Sequence, residues 1–148
     1  EPIRVTGIPN FAPELIRRVQ LGDPMKSKQL QKALSDLAEE GVAQVFRRAV
    51  GSDYIVGVVG PLQLEVLSGR ILREYNVSIG LEPVGFQLAR WVSAADLAEL
   101  DRFLARHRMA IAEDKDGDPV YLAESPWLLQ HTQREWPGIA FAATKERA

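Results

Sequence analysis

Residues 56–77, "VGVVGPLQLEVLSGRILREYNV", decide how the chain is read. The stretch opens as an apolar run of strand length and breaks at Gly60-Pro61. It then continues with Leu64, Leu67, Ile71 and Tyr75 at helical spacing. Pro61 suits a first helical turn, where its missing N–H would lack a partner in any case. Arg70 and Arg73 fall toward the negative end of the helix dipole, and Asn76 can close the helix. A strand running directly into an amphipathic helix is half of a β-α unit. The stretch itself carries no nucleophile, general base or metal ligand.

Working outward from this stretch, "VAQVFRR" (42–48) and "YIVGVVG" (54–60) read as two strands joined by the hairpin-like turn "AVGSD". Ahead of them Phe11, Leu15, Val19 and Leu21 alternate with polar or smaller residues, which predicts a strand past Pro13. A helix follows that strand: Asp23 is its N-cap, Pro24 its first position and Gly41 its left-handed C-cap, with Leu30, Ala33, Leu34 and Leu37 on one face. With the strand "VSIGLEPV" (77–84) the order is β-α-β-β-α-β, the split βαβ or ferredoxin-like arrangement of an α+β protein.

Residues 87–148 run through the same order again. "QLARWV" is a strand, Ser93 with Asp96 resembles a capping box, and "AADLAELDRFLARH" is a helix. "MAIAE" and "PVYLA" flank the turn "DKDGD". Ser125 caps a helix from Pro126 that Pro137 stops, and "IAFAAT" is the last strand. The expectation is a ferredoxin-like α/β plait over residues 1–86 with a second, similar βαββαβ half over 87–148 packed against it. No sequence identity links the halves.

Composition narrows the function classes. The 148 residues are 46% apolar and 26% charged, with a net charge of −2. That balance argues against a protein coating nucleic acid over its whole surface and leaves room for a local basic face. No apolar run is long enough to span a bilayer. There is no cysteine, so disulfides, thiolate catalysis and cysteine-ligated zinc are absent, in keeping with a reducing compartment and a cytoplasmic location. "EPIRVTGIPNF" begins without methionine and lacks the layout of a secretory signal, which reads as a fragment of something longer.

The sequence offers no catalytic, cofactor-binding or metal-binding residues. "GVVGPLQLE" matches neither phosphate-loop pattern, and Pro61 removes a donor from the helix start; Gly57 and Gly60 are assigned to close backbone packing. "DKDGD" has its glycine at the wrong place for a calcium loop, and Asp116-Gly117 is a tight-turn dipeptide. His107 and His131 belong to no ligand set and read as surface or partly packed side chains. Ser68-Gly69 lacks the nucleophile elbow. Trp91, Trp127 and Trp136 sit in apolar periodic contexts, which assigns them to the core or to an interface between the halves, built around Trp91 or Trp127.

One charge pattern stands out. The first helix carries Lys26, Lys28 and Lys32 near its start and Asp36, Glu39 and Glu40 near its end, opposite to what the helix dipole favours. Arg17 and Arg18 in the first strand, Arg47 and Arg48 in the second, and Arg70 and Arg73 on the helix after Pro61 add positive charge. Lys26, Lys28, Lys32, Arg47, Arg48, Arg70 and Arg73 are the candidate contact residues for ribosomal RNA or an acidic partner. A merely solvated face accounts for the same pattern.

The opening stretch is similar to the third-domain segment of translational GTPases such as elongation factor G, in which a strand runs into a Gly-x-Gly-Glu-Leu-His-Leu-Glu helix start. Gly60, Leu62, Leu64, Glu65, Leu72 and the closing "EYNV" keep that pattern, and Pro61 and Gln63 depart from it. Those departures, with "TGIPNFAPELIRRVQLGDPMKSKQLQKALSDLAEEGVAQVF" and "ARWV", resemble the C-terminal region (domain III) of bacterial peptide chain release factor three, the class II release factor. After Arg108 only "YLAESPWLLQHTQREWPGIAF" keeps family-like spacing.

The resemblance implies a ribosome-binding and scaffold domain of a GTPase that promotes dissociation of class I release factors in translation termination. It further implies that GTP and Mg belong to a GTPase domain outside this chain, with no cofactor and no enzymatic activity in the fragment itself. The implied partners are ribosomal RNA and small-subunit proteins, class I release factors indirectly, and the protein's own GTPase and β-barrel domains. No membrane is involved, and the chain is expected to be a monomer. Two alternatives stand beside it: the corresponding domain of another ribosome-bound translational GTPase, and a free-standing acylphosphatase-like enzyme, for which "GDPMKSK" is a poor phosphate cradle.

Overall fold

The computed structural model of the chain describes residues 10–51 and 53–145. The opening residues 1–9 and Ser52 of the predicted "AVGSD" turn lie outside them. Ten strands and four α-helices follow in the order β1 (Asn10–Phe11), β2 (Leu15–Leu21), α1 (Ser27–Glu39), β3 (Gln44–Arg48), β4 (Tyr54–Val58), α2 (Pro61–Tyr75), β5 (Ile79–Pro83), β6 (Leu88–Ala94), α3 (Leu97–Arg106), β7 (Ile111–Glu113), β8 (Pro119–Ala123), α4 (Pro126–Glu135), β9 (Ile139–Ala142) and β10 (Thr144–Lys145).

Local chemistry sets most of the boundaries. Asp23 accepts the N–H of Met25 and opens a short 3-10 turn, Pro24–Lys26, that leads into α1. Gly41 follows α1 at φ 82°, in the left-handed region. Asn76 ends α2 at φ 57°, its N–H donating to the carbonyls of Leu72 and Ile71. Ser125 accepts the N–H of Leu128 at the start of α4. The α3 cap differs from expectation: Asp96 takes the N–H of Ala98, and Ser93 and Ala94 remain in β6, where they pair with Ala140 and Ile139. Strand pairing there outcompetes the capping box. Phe11 also departs from the predicted strand; it belongs to β1 and is exposed.

Eight strands form one antiparallel sheet in the order β5-β2-β4-β3-β7-β8-β6-β9. The first four make a ferredoxin-like half with α1 and α2, and the last four repeat it with α3 and α4 in mirrored order along the sheet. The halves join edge to edge through two register pairs, Arg47 with Glu113 and Arg48 with Ala112. A separate two-stranded ribbon pairs β1 with β10.

Strand β4 shows why its sequence is apolar throughout. Tyr54, Val56 and Val58 point toward α1 and α2, packing with Leu34, Leu37, Leu67 and Ile71. Ile55 points the other way, into a cluster with Ile16, Phe46, Ala89, Trp91, Ala112, Val120 and Leu122. That second cluster draws on both halves, so their helix-free faces meet there. A third cluster, around Phe103, Tyr121 and Leu129, lies beneath α3 and α4. Gly57 makes the close approach expected of it, since a Cβ there would lie 2.4 Å from the Pro13 ring. Gly60 does not: a Cβ on it would meet nothing within 4 Å.

Candidate functional site

The reversed charges of α1 find their explanation across the helix pair. Asp36 accepts the Tyr75 hydroxyl at 2.6 Å and pairs with Lys32 at 3.3 Å. Glu40 accepts Arg70 at 2.8 Å, and Arg70 also reaches Glu74 at 2.8 Å. The Tyr75 bond, with Lys32 adding to it, holds the Asp36 carboxyl below its usual range, and the same bond pushes Tyr75 up to about 12. Glu74 and Glu40 hold the Arg70 guanidinium more firmly charged than usual, and Arg70 in turn holds Glu74 low. The acidic end of α1 thus ties α1 to α2.

Of the predicted contact residues, several are engaged within the chain. Lys26 donates to the Asn76 carbonyl at 2.6 Å, fixing the start of the first helical segment against the end of α2. Lys32 and Arg70 are in the pairs just described. Arg48 donates to the Met109 carbonyl and lies over the Phe86 ring at 5.1 Å, so it bridges the two halves. Arg47 is exposed and stands over the Tyr54 ring at 5.7 Å. Lys28 and Arg73 are exposed, and among the described residues neither makes an ion pair. Lys28 sits in the first turn of α1 and Arg73 in the last turn of α2, the two ends that the Lys26–Asn76 bond brings together. Arg47 and Arg48 lie elsewhere, on the seam between β3 and β7.

The catalytic candidates do not assemble. Ser68 donates to the carbonyl of Glu65 within its own helix. His131 is stacked on Trp127 and lies 3.4 Å from Glu135. His107 is packed among the rings of Phe103, Tyr121 and Trp136. Trp91 is buried in the shared cluster, and Trp136 packs against the third cluster. Trp127 overturns the expectation of burial, being 65% exposed on the outer side of α4.

Sequence reasoning missed the most connected polar site. Asp114, Asp116 and Asp118 bring carboxylate oxygens within 4.8 Å of one another. The Lys145 ammonium stands among them, 2.6 Å from Asp114, 2.9 Å from Asp116 and 2.6 Å from Asp118. Trp91 Nε1 donates to Asp114 at 3.0 Å, and Lys115 pairs with Glu39 of α1 at 3.2 Å. The alternating Asp-x-Asp-x-Asp was the available signal; the lysine that meets it lies 27 residues beyond Asp118 and could not be matched to it locally.

The family model described as class II release factor RF3, C-terminal domain, matches residues 5–133. The chain belongs to that family. A class II release factor domain places the chain in translation termination, and the family's match extends past Arg108 through β7, β8 and most of α4. Among the described residues of this release factor domain, no helix is long and apolar enough to cross a membrane.

Proposed function

We propose that the chain is the ribosome-contacting scaffold domain of a class II release factor, a GTPase that promotes dissociation of class I release factors from the ribosome. Family membership over residues 5–133 carries this reading. Nucleotide and Mg chemistry is assigned to a GTPase domain outside these residues, and the work of this domain is binding and positioning, without catalysis. The protein acts in the cytoplasm as a monomer, with ribosomal RNA, small-subunit proteins and its own GTPase and β-barrel domains as partners.

The electrostatics support one contact surface over the others. Lys28 and Arg73 are the exposed cations at the joined ends of α1 and α2 that hold no ion pair among the described residues. Unpaired cations on a rigid support can meet phosphates without first breaking internal bonds. Arg70 and Arg48 are engaged in holding the fold and are assigned to it.

Sedimentation with 70S ribosomes at low and moderate salt tests the proposal. The wild-type chain is expected to co-sediment at low salt and to be released as salt rises. The Lys28→Glu, Arg73→Glu double variant is expected to lose most of that binding. Binding of equal strength and salt dependence in both proteins would remove this end of the helix pair from the contact.

A further inference from the structure

Lys145 and the loop at residues 114–118 form a built ionic site. Asp114 is held rigidly: Oδ1 accepts the N–H of Asp116 and of Asp118, each at 2.9 Å, and its side chain is only 6% exposed. Its Oδ2 accepts both Trp91 Nε1 and Lys145. Three carboxylates therefore face one ammonium, which has three protons to donate. Burial works against the charged lysine, but its bonds to Asp114, Asp118 and Asp116 outweigh it and hold the ammonium above the ordinary lysine range. Lys145 also holds Asp116 below the usual carboxylate range.

What this site anchors is a ribbon of two short strands. Lys145 ends β10, whose two residues pair with Asn10 and Phe11 of β1. Ala12 N–H donates to the Ala143 carbonyl at 2.7 Å, and Gln44 Nε2 donates to the Phe11 carbonyl at 3.0 Å. The ribbon thus runs from the loop to the side of β3.

Beside the ribbon is a cleft of about 210 Å³, lined by Phe11, Val42, Gln44, Val45, Asp114 and Lys115 among others. Beside the cleft, β3 and β7 are in register at Arg47–Glu113 and Arg48–Ala112, and β7 ends at Glu113, short of the position opposite Val45. The Arg48 N–H donates toward β4, to Asp53, and the Ala49 N–H donates across the seam to Ile111. Hydrogen-bonding groups alternate along a strand, so the N–H and C=O of Val45 point into the cleft, where no strand of the described residues pairs with them. An open strand edge is a ready template for an added strand.

We propose that Lys145 is a latch that holds the β1–β10 ribbon against this cleft and shields the open edge of β3. An ionic fastening suits a reversible device: Asp116 and Asp118 keep 46% and 54% of their side chains exposed, so water and salt compete for the same ammonium. Apolar burial would offer no such competition.

Hydrogen exchange on the whole chain tests the latch, comparing wild type with Lys145→Met, Lys145→Arg and Asp118→Asn. Lys145→Met is expected to raise exchange in peptides covering residues 10–12 and 42–46 by roughly tenfold or more. Asp118→Asn is expected to give a smaller rise over the same peptides, and Lys145→Arg to stay near wild type. Peptides from α3 and α4 are expected to keep their protection in every variant. Unchanged exchange at 42–46 in Lys145→Met, or an equal rise throughout α3 and α4, overturns the proposal.

Discussion

His107 closes α3 with its Nε2 buried and, among the described residues, without a hydrogen-bond partner, its ring 4.7 Å from Phe103, 5.7 Å from Tyr121 and 6.0 Å from Trp136. Burial, helped by Arg106 and opposed by Glu135, lowers its pKa below the ordinary 6.5. The unfolded chain then binds a proton at a higher pH than the folded one. Stability is full above about pH 6.5 and falls as the pH drops from there toward the folded pKa. His107→Phe is expected to flatten this part of the profile, measured as the change in Tm between about pH 7.5 and 5 for variant and wild type. Identical pH dependence in the two proteins would show that His107 does not contribute. The sequence marked His107 only as surface or partly packed, because its neighbours Arg106 and Arg108 are polar; its aromatic surroundings are Phe103 one turn earlier in α3, Tyr121 of β8 and Trp136 just after α4. Trp127 misled in the opposite direction. It lies beside Leu128 and Leu129, and one residue on a helix turns the side chain by about 100°, so a local apolar context does not say which of the three faces inward.

Helix α2 is the element where sequence and structure agree most closely. Leu67 and Ile71 are fully buried against α1 and the sheet, as their spacing predicts. Leu67→Ala is expected to cost about 2–5 kcal/mol, and Asn76→Val about 1–2 kcal/mol because a β-branched residue resists the left-handed conformation at φ 57°. Asn76→Gly should be close to neutral. Denaturant unfolding checks all three, and an Asn76→Val variant as stable as wild type would mean the C-cap tolerates another conformation. Helix α1 teaches the converse. Its charge order opposes the dipole, by a few tenths of a kcal/mol per exposed charge, and was legible as an anomaly. Its cause was not, since Tyr75 and Arg70 lie 39 and 30 residues from the carboxylates that they bond.

Across the whole molecule, Ile16, Phe46 and Ile55 of the first half share one buried cluster with Ala89, Trp91, Ala112, Val120 and Leu122 of the second. Residues 1–86 and 87–148, produced separately, would each expose their share of that cluster. The expectation is that neither melts cooperatively alone and that mixing restores a cooperative transition, followed by circular dichroism. Two cooperative halves that do not associate would refute a shared core. The order of elements and most inward faces were determined by the sequence alone, because strand alternation, helical spacing, caps and turn dipeptides are local signals a few residues long. The interface at Trp91 was legible as one of two candidates because a large aromatic on an alternating strand must be buried somewhere. Only the tertiary structure decided that the halves join through the edges of β3 and β7, that Trp91 and not Trp127 lies between them, and that Lys145 meets three aspartates. Strand edges and exposed charges choose partners by the geometry of chain segments distant in sequence, and no local periodicity records that geometry.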